Sequence, residues 1–262
     1  FRRVLFRSQF LLNQARVGLS HNANPVGFDV QVGVGTQLDV LNSNDTTLNN
    51  LRRATVSWAN YGCSLNFGRM DANFGMERID SVENWNYSRS LAFNFVQPKH
   101  MTGVTAGYDF GGNGFNMEVG AYNGANLNTD NNRPKTYTAR LGYAKKDFSM
   151  GLVYMAGTEK AADSDKWRHT ANANAKYMLS DKTGLGLDVS YAGGPDELVQ
   201  SPTEYRVSAR RYGAAAYGTT SFLANHNEAL RLEWFHDEKG AATLQNKANS
   251  FFSSTLTHRW MA

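Results

Sequence analysis

The groups best suited to metal or nucleophilic chemistry are six histidines (His21, His100, His169, His226, His236 and His258) and one cysteine, Cys63. No two of these histidines stand at the spacing of a metal site, and the cysteine has no neighbouring His or Cys to share an ion with. His236 is followed by Asp237 and Glu238, the nearest approach to a hydrolytic constellation. It falls in a predicted loop with no nucleophile at triad spacing, so solvation is its expected role and no catalytic residue is assigned. The Asn- and Asp-rich stretches NGANLNTDNNRP and GTEKAADSDKWR lack calcium-loop spacing and read as solvated loops. No metal and no cofactor is expected.

A second set of residues carries charge where charge is unusual, in the middle of apolar-alternating segments. Asp29, Arg53, Glu118, Arg140, Asp188, Arg206, Arg210, Arg231, Glu233 and Arg259 recur there. Burying so many ions in a dry core is prohibitive, whereas a water-filled lumen accepts them. Glu77 beside Arg78, and Arg89 between Ser88 and Ser90, are the expected organisers of an inward-folded loop or constriction. An arginine facing a carboxylate across a passage creates a transverse field that sorts solutes by charge. The simpler alternative is an ion pair between Glu77 and Arg89 that closes a strand connection. Lumen arginines outnumber lumen acids in this set, which predicts a mild preference for anions.

The elements that must position these residues show a period of two, which sends alternate side chains to opposite faces of a strand. In GFDVQVGVG, Val26, Phe28, Val30, Val32 and Val34 share one side, with Asp29, Gln31 and three glycines on the other. About 13 or 14 such segments are visible. No stretch approaches the ~20 apolar residues of a membrane helix, and the mean hydropathy is −0.50. The net charge of +4 is scattered rather than blocked, which argues against a nucleic-acid partner. Short turns alternate with long polar loops, among them Asn123 to Lys135, Gly157 to Arg168 and Gly193 to Glu204. The rhythm breaks after Met70, where Asp71 to Asn86 is followed by two short connections, so either a strand is hidden or a loop folds inward. Trp58, Tyr87, Tyr143, Tyr177, Tyr191, Tyr217, Trp234 and Trp260 suit interfacial girdles.

The expected fold is therefore all-β, an antiparallel up-and-down transmembrane barrel from a parent of about 16 strands. Phe1 to Ser8 (FRRVLFRS) fits no signal peptide and reads as a non-native leader. Residues 9–262 then form a single, incomplete barrel domain truncated at both ends.

The stretch FGMERIDSVENWNYSRSLAFNFVQPKHMTGVTAGY resembles the signature region of the OmpL-like β-barrel porins, through Gly68 just before it and Phe74, Gly75, Glu77, Asn86, Tyr87, Ser88, Arg89, Ser90, Pro98, His100, Thr102 and Gly103. ALRLEWFHDEKGA is similar through Arg231, Glu233, Asp237 and Gly240. The resemblance implies a barrel of the bacterial outer membrane that forms a passive channel and is not an enzyme. Its expected partners are outer-membrane lipid, small hydrophilic solutes and further copies of itself. A plugged, non-conducting barrel serving as adhesin or anchor is the alternative reading, and a barrel hydrolase with a Ser or Asp meeting a His at the outer rim is a minor one.

Overall fold

The structure, a computed structural model, describes residues 12–43, 46–159, 165–199, 205–223, 225–245 and 247–260. The expected leader, Phe1 to Ser8, lies outside the described residues. Thirteen strands follow one another as β1 (Ala15–His21), β2 (Val26–Val34), β3 (Leu51–Asn60), β4 (Cys63–Asp71), β5 (His100–Asp109), β6 (Phe115–Ala125) and β7 (Thr136–Lys145), then β8 (Phe148–Thr158), β9 (Trp167–Met178), β10 (Thr183–Val199), β11 (Tyr205–Leu223), β12 (His226–Asp237) and β13 (Asn249–Trp260). They form one antiparallel meander in chain order, with β1 and β13 at its two edges. Two short helices interrupt the pattern, α1 (Thr36–Leu41) and α2 (Leu91–Phe95).

The alternation read from the sequence sets the two faces of this sheet. In-register pairs such as Val56 with Phe67, Phe67 with Val104, Leu141 with Leu152 and Leu230 with Leu256 build an apolar outer wall. Its side chains are exposed, Phe67 at 69% and Leu256 at 73%. An apolar belt of this extent has no place in water and suits hydrocarbon. Aromatic rings edge the wall near the short turns, where Phe115, Tyr143 and Phe148 touch in series, and near the long loops, where Tyr191 meets Tyr212 and Tyr212 meets His236. Tyr87 and Tyr217 leave the expected girdle. Tyr87 stands in the connection between β4 and β5, and Tyr217 is buried on the inner face against Trp85.

Short and long connections alternate from β1 to β8. The irregularity expected after Met70 is a single long connection, residues 72–99, that contains α2 rather than a hidden strand. Of the expected loop Gly193 to Glu204, residues 193–199 belong to β10 and the remainder lies outside the described residues. His236, expected in a loop, lies in β12.

Residues 72–99 fold inside the sheet. The segment enters and leaves at one point, where the Ala72 amide donates to the Lys99 carbonyl at 2.9 Å. Its apolar residues find partners all round: Phe74 with Met101, Tyr122 and Met155; Ile79 and Phe93 with Leu38 and Leu41 of α1; Val96 with Ala192 and Phe235. Two glycines allow the approach. Gly75 has φ +65°, and a Cβ there would meet Gln97 at 2.5 Å and Asp188 at 2.7 Å. A Cβ on Gly213 of β11 would meet the Ala92 Cβ of α2 at 2.6 Å.

Candidate functional site

The inner face of the sheet meets the inward segment through two charged clusters. In the first, Arg231 of β12 donates to Glu77 at 3.0 Å and to Glu233 at 3.2 Å, and also to the carbonyl of Ser88 at 2.7 Å. All three ionic side chains are buried. The free oxygens of both acids cap α2, Glu77 accepting from the Ser90 amide at 2.7 Å and Glu233 from the Leu91 amide at 2.6 Å. The Ser90 hydroxyl accepts from the Phe93 amide at 3.1 Å. Together they satisfy donors that a five-residue helix leaves open at its start and place negative charge where its dipole favours it.

The second cluster sits across the lumen. Arg53 bonds Asp29 at 2.7 Å and also Asp71, Arg52 bonds Asp71, and Arg16 bonds Asp80 of the segment at 2.6 Å. Hydrogen bonds outside any ion pair complete the attachment. Asp188 of β10 accepts from the Met76 amide at 2.7 Å, from Asn172 at 2.7 Å and from Gln97 at 3.0 Å. Asn86 donates to the carbonyl of Ala229 at 3.0 Å and to the Thr257 hydroxyl at 3.1 Å, and Arg259 donates to the carbonyl of Asn84.

The expected site residues therefore fall into distinct groups. Glu77, Arg231, Glu233 and Asp188 converge on the segment, and Arg53 joins the opposite cluster. The partner of Glu77 is Arg231, not Arg89, because α2 turns Arg89 away toward the Ser81 hydroxyl at 2.6 Å and the carbonyls of Ile79 and Tyr87. Burial pushes the Arg89 guanidinium below its ordinary value, against the opposing pull of Glu77, Asp80 and Tyr87. Glu118 and Arg140 face one another in register across β6 and β7. Arg210, expected in the lumen, is exposed on the outer face with Tyr212, since β11 places its odd-numbered residues inward. Arg206 lies on β11, but its side chain is outside the described residues. The contact that a hydrolase needs does occur in one respect: His236 Nδ1 and the Ser250 hydroxyl are 2.8 Å apart. Asp237 does not complete it, because its carboxylate accepts from the Ala242 and Thr243 amides.

Sequence reasoning missed Arg16, Arg52, Asp71, Gln97, Asn172 and Lys176. A signal for the last two existed in ANANAK, whose alternation puts Asn172, Asn174 and Lys176 on one face. Polar cavities border the segment, one of about 440 Å3 toward the long loops and one of about 210 Å3 toward the short turns.

The sequence profile of the family described as "Putative beta-barrel porin-2, OmpL-like" matches residues 5–262. The chain belongs to this porin family. Its solved structural neighbours include a porin refined at 1.8 Å, with a TM-score of 0.58, 10% identity, and coverage of 95% of this chain and 81% of that one. An anion-selective porin from Comamonas acidovorans gives 0.48 at 11% identity over 94% and 88% of the two chains. OmpT of Vibrio cholerae, an outer membrane protein, gives 0.46 at 10% over 94% and 88%. No curated protein matches the sequence. The first of these neighbours supports the porin-like fold, and the family places the protein in the bacterial outer membrane as a channel former rather than an enzyme. In such barrels the short turns face the periplasm and the long loops the exterior.

Proposed function

We propose that this porin forms a narrow, water-filled passage for passive diffusion of small hydrophilic solutes, constricted by residues 72–99 and mildly selective for anions. The observation that carries the reading is the attachment of one inward segment to opposite walls of the barrel, with polar cavities on both sides of it. Anion preference follows from how the charges are spent. Asp29, Asp71, Asp80, Glu77 and Glu233 are all held in ion pairs with arginine. Lys99, Arg78, Arg140 and Lys176 line the cavities instead. The partners are outer-membrane lipid and small solutes, and a homo-oligomer within the membrane is part of the same proposal.

A second reading, the plugged anchor, draws on the apolar packing of the segment, such as the Phe95 ring stacked on Phe235 at 5.4 Å. Single-channel conductance in planar bilayers separates the two. The intact protein is expected to give stable open steps, and replacing residues 76–96 with a short flexible linker to give larger ones. Silence in the intact protein with steps only after replacement would establish the plug. A reversal potential showing cation selectivity would remove the anion preference.

A further inference from the structure

On the periplasmic side of the constriction, three cations converge on one cavity, with Glu118 the single acid near them. Arg78 of the inward segment, Arg140 of β7 and Lys176 of β9 line the 210 Å3 cavity, together with the amides of Asn73, Asn116 and Asn174. Arg78 lies close enough to repel both other cations. Among the described residues none of the three makes an ion pair within 4.0 Å, in contrast to every arginine of the two clusters that hold the segment. Glu118 stands opposite Arg140 in the ladder and attracts it from beyond ion-pair distance, its carboxylate held by Asn73, so one acid offsets part of a charge of three.

Two of the three cations, Arg140 and Lys176, are held in place by something other than a carboxylate. Arg140 donates to the Asn116 side-chain oxygen at 2.7 Å, which leaves that amide's nitrogen free to donate. Lys176 sits over the Trp85 ring at 5.5 Å. The Asn174 amide nitrogen donates to Asn172 at 2.8 Å. Like charges gathered at one cavity repel one another, and an anion shared among them converts that repulsion into charge-assisted hydrogen bonds. Arginine offers a planar fork of donors and lysine a point charge, a combination suited to a tetrahedral oxyanion.

We infer that Arg78, Arg140 and Lys176 form a binding site for a small oxyanion, inorganic phosphate or the phosphate group of a small metabolite, at the periplasmic mouth of the constriction. As a step in permeation the site rests on the porin reading; as a binding site it does not. It would act as a resting place that raises the local concentration of anions beside the narrowest part of the passage.

The test pairs a binding measurement with a conductance measurement on the full chain. Calorimetric titration of inorganic phosphate into the detergent-solubilised protein at neutral pH is expected to show saturable binding that weakens with added salt. Arg140→Gln and Lys176→Gln are each expected to weaken it about tenfold, and Lys176→Arg to retain most of it. Heat-modifiable migration on gels verifies that each variant is folded. In planar bilayers, phosphate added on the short-turn side should reduce the chloride current of the intact protein and not of the double glutamine variant. Absence of saturable heat, or binding unaltered in a folded double variant, overturns the site. Open chloride steps with no phosphate binding would leave the porin reading standing alone. Silent bilayers with variant-sensitive binding would keep the site and remove the porin reading.

Discussion

Two walls of the same barrel carry the same kind of residue and use it in opposite ways. On the wall from β10 to β13, Asp188, Arg231 and Glu233 are buried and bonded to the inward segment. On the wall from β6 to β9, Arg140 and Lys176 face a cavity and touch only amides or an aromatic ring. All five sit on inward positions of alternating strands. The difference comes from how closely the segment packs at each point: where α2 and its flanks press against the sheet, water is displaced and every ion must find a partner, whereas below the contact of Phe74 with Tyr122 and Met155 the segment leaves a cavity beside Arg140 and Lys176 that water can fill. A charge in mid-strand is thus a clasp on one side of this lumen and a free electrostatic surface on the other.

The contrast is most easily broken at Arg231. Arg231→Ala leaves Glu77 and Glu233 buried side by side without their cation, and should destabilise the protein by about 3–5 kcal/mol. Urea unfolding followed by gel mobility measures this, and a loss below about 1 kcal/mol would mean that water reaches the cluster. The surviving channels should also be noisier, since the tether of α2 is cut.

A smaller effect belongs to Lys99, at the mouth where the segment rejoins the wall. Its ammonium donates to the carbonyls of Asn94 at 3.0 Å and Gln97 at 2.7 Å. Burial, with repulsion from Arg211 added, lowers it to about 8. The group is charged below that pH and neutral above it, while ordinary lysines keep their protons to about 10.4. Anion selectivity should therefore fall in one step centred near pH 8, read from reversal potentials between pH 7 and 9. Lys99→Met should abolish the step. The smallest change in stability is expected at Arg140, where Arg140→Gln breaks no ion pair and leaves only the longer-range attraction of half-buried Glu118 unanswered, and should stay within about 1 kcal/mol in the same urea assay. A large loss there would erase the distinction between the two walls.

Much of this architecture could be read before any coordinates. Period-two alternation identified the strands because a sheet with lipid outside and water inside must change polarity at every residue. Runs such as Val26 to Val34 carried that signal undiluted. Where the signal weakened, the reading slipped. Arg210 and Arg211 are adjacent and both polar, so parity alone could not say which faces the lumen. The glycine-rich stretch after Tyr191 looked like a loop and is largely strand.

The sequence by itself determined that the chain is a β-barrel with a charged interior, since that follows from local periodicity and the cost of burying ions. It also marked the stretch around Glu77 and Arg89 as the one that departs from the pattern. Which charge meets which was decided only in three dimensions. Glu77 and Arg231 are 154 residues apart and meet because the sheet curls round until β12 faces the segment leaving β4. Glu77 and Arg89 are close in the chain, yet the turn into α2 separates them. Proximity along a strand-and-loop chain says little about contact across a lumen, because curvature of the sheet, not local geometry, brings distant walls to one segment.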